Sequence, residues 1–317
     1  MPRLTPAAMA GAIAFGAALA AVVDWRARTR HRLEARTAAR LARGPDGIVL
    51  GAEPIALDGE ADRAVLLLHG FGDTPQSVAG VARALHAAGW TVRAPLLPGH
   101  GRSLADFAAS GADAWLRAAR AELAALRATH RTVALVGQSM GGALAVALAA
   151  ESRDVAAVVL LAPYLAMPAL PRVVGRAHPV VGLLLPWFDA DGAERSIHDP
   201  AALAASRGYG ATTPRLIGEL RRVWARADAA LGAVRAPTRV VLSRQDNRVD
   251  ARAAAAAVAR LGCAERDLVW LEECGHVVAV DRERERVFAL TGEWLARHAP
   301  AVAPASHRSP TPARDGA

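Results

Sequence analysis

Thr132-Val133-Ala134-Leu135-Val136-Gly137-Gln138-Ser139-Met140-Gly141-Gly142 is the stretch on which the reading of this chain turns. Its apolar start predicts a buried strand, and Gly-x-Ser-x-Gly at 137–141 predicts a sharp turn with Ser139 at the apex. Gly137 and Gly141 tolerate the strained backbone of such a turn and let a helix pack close to the strand. Gly142 and Ala143-Leu144-Ala145-Val146-Ala147-Leu148 continue as a buried helix. This strand–turn–helix setting separates the motif from a chance match in a chain of 317 residues with 27 glycines. It makes Ser139 a candidate nucleophile.

A serine hydroxyl attacks poorly at neutral pH without a base, and the base needs an orienting carboxylate. On a strand–turn–helix platform of this kind the chain order is serine, acid, histidine. His276 is the best-placed downstream histidine. It follows the predicted strand Asp267–Leu271, with Gly275 as the turn that aims its ring. His178 and His198 stand in Pro-rich or polar loop text, and His298 and His307 lie near the end. The acid should follow the preceding strand, Thr238–Ser243. Asp246 is the first carboxylate beyond it and the preferred one; Asp250 competes, with the alternative role of N-cap to a helix starting at Ala251. Acyl transfer also needs donors for a developing oxyanion. The backbone N–H of Met140 is one. The other is the N–H of Phe71, in His69-Gly70-Phe71-Gly72 after the strand Ala64–Leu68, with His69 read as structural.

These features, together with Pro95-Leu96-Leu97-Pro98-Gly99-His100-Gly101 and Gly275-His276-Val277-Val278-Ala279-Val280-Asp281, resemble the α/β-hydrolase superfamily. The branch they resemble is that of bacterial carboxylesterases and monoacylglycerol lipases, related to the serine aminopeptidase-like hydrolases. The resemblance covers roughly residues 47 to 298. It implies an α/β-hydrolase fold, a mostly parallel central sheet flanked by helices, with a small helical cap over the serine. It also implies cleavage of short- or medium-chain esters or monoacylglycerols through an acyl-enzyme intermediate, without metal or organic cofactor. Amide cleavage and acyl transfer from thioesters use the same triad and stand as alternatives; a non-catalytic binding protein that keeps the fold is the alternative from another class. The acid segment departs from the family, which often has a glycine early in that turn where this chain has Ser243-Arg244-Gln245.

The net charge of +8 invites a nucleic-acid reading, but its distribution opposes one. Residues 24–43 hold seven arginines against Asp24 and Glu34, and residues 44–298 are left with a net charge of +1. The body lacks the basic face of a nucleic-acid binder. The two cysteines, Cys263 and Cys274, have no metal-binding or C-x-x-C spacing and are read as buried small side chains rather than redox groups.

Leu4–Val23 is an uncharged stretch long enough, as a helix, to span a bilayer of roughly 30 Å. Residues 1–23 are read as a hydrophobic anchor or signal-like helix, and 24–46 as a basic linker. A membrane anchor, a signal cleaved near Ala18-Leu19-Ala20 and a helix packed on the domain compete. Arg26, Arg28, Arg30 and Arg32 follow the span, so the positive-inside rule keeps the catalytic domain cytoplasmic; an exported or a soluble protein is the alternative.

From 47 onward strands and helices alternate, with Ile48–Leu50 and Pro54–Leu57 expected as an initial hairpin. Between 163 and 235 the alternation stops, and this Pro-rich segment is read as the cap. Leu183, Trp187 and Phe188 are candidates for its apolar substrate wall or a membrane-facing lid. Residues 299–317 are expected to be disordered.

Overall fold

The computed structural model describes residues 5–59, 62–189 and 193–300. Helix α1 (Pro6–Arg40) begins at Thr5, whose hydroxyl oxygen accepts the Ala8 N–H, with Pro6 in the first turn. Strands β1 (Ile55–Leu57) and β2 (Arg63–Leu68) lead to α2 (Ala79–Ala87) and β3 (Thr91–Ala94). Helices α3 (Leu104–Ala109) and α4 (Ala112–Thr129) precede β4 (Thr132–Gln138), α5 (Met140–Glu151) and β5 (Val155–Leu161). Next come α6 (Ala169–Arg176), α7 (His178–Leu184), β6 (Phe188–Asp189), α8 (Ala193–Ser196), α9 (Pro200–Ala205), β7 (Ala211–Thr212) and α10 (Pro214–Ala230). The chain then returns to the sheet with β8 (Thr238–Ser243), α11 (Ala251–Val258), β9 (Arg266–Leu271) and α12 (Arg284–His298).

Seven strands form one sheet in the order β1-β3-β2-β4-β5-β8-β9, parallel except for the antiparallel edge strand β1. The near-continuous apolar strands are buried on both faces, as a covered parallel sheet requires. Leu66, Leu68, Leu135 and Leu160 face one layer, while Val65, Leu67, Val136, Val159 and Leu161 face the other. Each such side chain contributes about 1.5–3 kcal/mol on burial. Helix α5 is buried from Met140 to Ala149, which its Ala- and Gly-rich sequence permits. Because the strands are parallel, the loops after β2, β4, β8 and β9 all open at the same sheet edge, where open α/β sheets bind ligands.

Two expectations are corrected. Ile48–Leu50 makes no hairpin with β1. Val49 forms a single bridge to Arg43 and gives its N–H to Gly101 O at 2.8 Å, while β1 pairs with the free edge of β3. The division at residue 23 is also absent, because α1 continues through the basic segment to Arg40. Its first half is exposed and is long and apolar enough to cross a membrane. Its second half packs on the domain through the stripe Thr29, Leu33, Thr37, one helical turn apart. Arg26 donates to the carbonyls of Gly182 and, at 2.8 Å, Leu183 on α7. The segment from α6 to α10 covers the sheet edge, with β6 and β7 paired antiparallel. The 299–317 tail lies outside the described residues from 301 on, as do residues 1–4.

Candidate active site

Strand β4 carries Ser139 to the sheet edge, and the turn gives it φ +53° and ψ −118°, a conformation uncommon outside glycine. The surroundings force it. The Ser139 N–H reaches Leu161 O at 2.9 Å, and its carbonyl accepts from Tyr164 N at 2.9 Å. A Cβ on Gly137 would stand 2.3 Å from Gly141 O, and one on Gly141 would stand 2.0 Å from Leu68 O. Both glycines are therefore required by close backbone approach.

Ser139 Oγ lies 2.7 Å from His276 Nε2, and His276 Nδ1 lies 2.8 Å from Asp246 Oδ2. With Nδ1–H donating to the carboxylate, Nε2 is left as the acceptor for the serine proton. The Asp246 side chain is 1% exposed, and its other oxygen accepts the N–H groups of Arg248 (2.7 Å) and Val249 (2.9 Å). Burial pushes this carboxyl up, but the His276 imidazole and the two N–H donors outweigh it and hold it below the usual aspartate value. Asp250 is elsewhere occupied: it caps α11, accepting from Arg252 N and Ala253 N at 3.0 and 3.1 Å.

The family's glycine in the acid loop is replaced here by a connection. Ser243 Oγ donates to Cys274 O and accepts the Gln245 N–H at 3.0 Å, while Gln245 Nε2 donates to Glu272 O. These bonds tie the Asp246 loop to the His276 loop. Cys274 is buried, which pushes its thiol up to about 12, so it is poorly suited to redox or nucleophilic chemistry.

Phe71 and Met140 flank the serine. Among the described residues neither backbone N–H donates within the protein. A Cβ on Gly70 would lie 3.4 Å from Ser139 Cβ, so the loop after β2 runs directly past Ser139. His69 braces this loop: Nδ1 donates to Gly70 O at 2.9 Å and Nε2 accepts the Leu97 N–H at 3.1 Å. Burial lowers its imidazole to about 4, so it stays neutral.

Two side chains escaped the sequence reading. Asp281, given no role of its own at the end of the Gly275–Asp281 segment, is fully buried ahead of α12. It accepts four backbone N–H groups, from Gly275, His198, Asp199 and Arg282, and so clamps the His276 loop to the cap. Asp73 stands beside the serine loop, accepts the Thr74 N–H at 2.8 Å, and is pushed up by burial to about 6. The one available signal was position: each carboxylate lies within a few residues of a motif.

A cavity of about 760 Å³ opens beside Ser139 and His276, within the range of small-ligand sites. None of Leu183, Trp187 and Phe188 lines it. Leu183 points to solvent on α7, Trp187 is buried in the core, and Phe188 pairs with Thr212. The apolar wall comes instead from Pro168, Pro171, Ile197, Leu203, Ile217 and Leu220. These three side chains do not form the substrate wall, because hydrophobicity in a cap does not tell core, cavity and outer faces apart.

The family model described as "Serine aminopeptidase, S33" matches residues 59–283. The chain is 27% identical over 252 residues to a thermostable monoacylglycerol lipase of Bacillus sp. (strain H-257), covering 80% of this chain and 97% of that protein. It is 24% identical over 253 residues to a carboxylesterase of Bacillus subtilis (strain 168), covering 78% and 97%. A solved structure from work on LipS and LipT, two metagenome-derived lipolytic enzymes, superposes with TM-score 0.74 at 28% identity, covering 79% of this chain and 100% of that one. A soluble variant of the Saccharomyces cerevisiae monoglyceride lipase shares the fold at TM-score 0.66 and 14% identity, over 77% of this chain and 91% of that one. With the match spanning strands β2 to β9, the cap and the loops that carry Ser139, Asp246 and His276, the chain belongs to the serine aminopeptidase (S33) family of α/β-hydrolases.

Proposed function

We propose that the chain is a serine hydrolase that cleaves carboxylic esters, short- or medium-chain esters or monoacylglycerols, through an acyl-enzyme intermediate. The observation that carries this reading is the continuous relay Ser139–His276–Asp246, with hydrogen bonds of 2.7 and 2.8 Å. His276 Nε2 takes the Ser139 proton as Oγ attacks the ester carbonyl. Asp246 holds the Nδ1–H tautomer and stabilises the imidazolium. The Phe71 and Met140 N–H groups donate to the developing oxyanion, whose stabilisation by each such donor is worth about 3–4 kcal/mol. His276 then protonates the leaving alcohol, and water repeats the sequence to release the acid. The names of the Bacillus relatives, a monoacylglycerol lipase and a carboxylesterase, favour ester over amide substrates.

The exposed half of α1 is read as a membrane anchor, with Arg26, Arg28, Arg30 and Arg32 keeping the catalytic domain on the cytoplasmic side. Leu170, Val173, Val180, Leu183 and Leu185 are exposed on and beside α6 and α7, next to the point where Arg26 meets the cap. This apolar face supports a domain lying against the bilayer.

A fluorophosphonate probe and an ester chain-length series, with amide and thioester controls, test the reading. Wild type is expected to label and to turn over esters fastest, and Ser139→Ala to do neither. A wild-type protein that stays unlabelled and inactive on every ester would overturn it.

A further inference from the structure

Residues 206–210 join α9 to β7 and run across the loop that carries Phe71. The Tyr209 N–H donates to Gly72 O at 2.9 Å, and a Cβ on Gly208 would stand 3.5 Å from the same oxygen. The Tyr209 hydroxyl accepts the Arg102 N–H at 2.8 Å and donates to Gly99 O at 3.1 Å. Its ring lies 5.0 Å from that of Phe107, which lies 5.1 Å from that of Phe71. Phe71 is therefore held from both sides. His69 fixes Gly70 O, the carbonyl of the peptide unit whose N–H belongs to Phe71, and the 206–210 segment fixes Gly72 O.

That segment is irregular backbone, with glycines at 208 and 210 and φ +67° at Gly210. Two arginines fasten it. Arg207 donates to Leu50 O at 3.0 Å on its outer side. Arg40 of α1 donates to Ser206 O at 3.3 Å and to Gly208 O. The Gly208 carbonyl and the Tyr209 N–H are the two ends of one peptide unit. Arg40 grips one end of it, and Gly72 O receives the other. A charged donor on the carbonyl also polarises the peptide and strengthens the bond its N–H makes. Arg40 lies outside the matched family region, which begins at residue 59.

We propose that Arg40 is a positioning residue for ester hydrolysis: through the Gly208–Tyr209 peptide it fixes the loop whose Phe71 N–H stabilises the oxyanion. The proposal rests on the ester-hydrolase reading and extends its machinery to α1. Arg40 also lines the cavity, so two roles have to be told apart. A contact with bound substrate acts on KM, whereas a grip on the oxyanion donor acts on kcat.

The test uses the full chain in mild detergent, a soluble p-nitrophenyl ester, and a trifluoromethyl ketone of matching chain length, whose adduct with Ser139 carries an oxyanion. Arg40→Gln is expected to lower kcat about tenfold, less than the roughly 100-fold or more that loss of a whole oxyanion donor costs. KM should stay within about twofold of wild type, and affinity for the ketone should fall by the same factor as kcat. Arg40→Lys, which keeps the charge without the planar fork, should lose about threefold in both. Arg32→Gln, the same change at an exposed position of α1, should match wild type. An unfolded fraction lowers kcat but leaves the Kd of the ketone unchanged, so the paired readout separates positioning from damage. Should Arg40→Gln fail to fold, Arg40→Lys carries the same comparison. A wild-type kcat, a change confined to KM, or a fall in kcat that ketone binding does not follow refutes the positioning role and leaves the hydrolase standing. A wild-type chain that neither hydrolyses the ester nor binds the ketone refutes both.

Discussion

Replacing Asp281 by Asn tests whether the histidine loop is held by a buried carboxylate. Oδ2 accepts the Gly275 N–H at 2.7 Å; Oδ1 accepts those of His198, Asp199 and Arg282 at 2.9, 2.8 and 2.9 Å. An asparagine keeps one acceptor oxygen. Placed with that oxygen toward the triple site, it turns its NH₂ on the Gly275 N–H, and a buried donor is orphaned at a cost of about 1–3 kcal/mol. The three remaining bonds lose their charge assistance, each falling from about 1.5–3 to about 0.5–1.5 kcal/mol. Removing a buried charge offsets part of this, leaving a net loss of about 2–4 kcal/mol. For a domain of this size that is a fall in Tm of about 5–15 °C.

The catalytic effect should be separable from the stability effect. Gly275 precedes His276, and a Cβ there would stand 2.6 Å from Ser196 O, so the loop is held between clamp and cap with no slack. Freeing it displaces the imidazole from Ser139, and a displacement near 1 Å costs roughly 100-fold in rate. Calorimetry gives Tm, and kcat on a soluble p-nitrophenyl ester is read well below the mutant transition. A Tm within about 2 °C of wild type would refute the clamp. A large Tm loss with kcat intact would refute its catalytic half.

Two further outcomes are expected. Burial pushes the Asp73 carboxyl up to about 6, so the folded state holds this proton more tightly than the unfolded chain. The stability that goes with protonation is full below the ordinary aspartate value and fades as pH rises through about 6; Asp73→Asn should therefore raise Tm over wild type at pH 8 and lose that advantage toward pH 4. Scanning fluorimetry at fixed ionic strength decides it, and a pH-independent difference counts against the cause given. Deleting residues 1–23 should abolish flotation with lipid vesicles yet keep activity on a soluble ester, because Thr29, Leu33 and Thr37 still pack; loss of that activity would show that the apolar half is needed by the fold itself.

The convergence of the three candidate residues was legible because each sits just beyond a strand, and a parallel sheet brings all its strand ends to one edge. Knowing that Ser139, Asp246 and His276 follow β4, β8 and β9 is nearly enough to know that they meet. The strand partner of Ile55–Leu57 was not legible, because a short edge strand fits any open ladder, and β3 offered one. Asp281 was unreadable for a related reason: an acid before a helix looks like a cap until the backbone donors converge on it.

The larger omission concerns the basic segment, and it shows how charge hides packing. Seven arginines in residues 24–43 read as a basic linker. The buried face of that helix is only Thr29, Leu33 and Thr37, two of them threonines, too weak an apolar stripe to register beside the charges. Yet Arg36 and Arg40 flank that stripe and line the cavity, so residues that look like a tether to the membrane also form part of the site's wall. On the anchor proposed above, one helix links membrane attachment to the wall of the pocket. A change in the register of α1, such as an alanine inserted between Trp25 and Arg28, should alter both by rotating Thr29–Arg40 about 100° relative to the span.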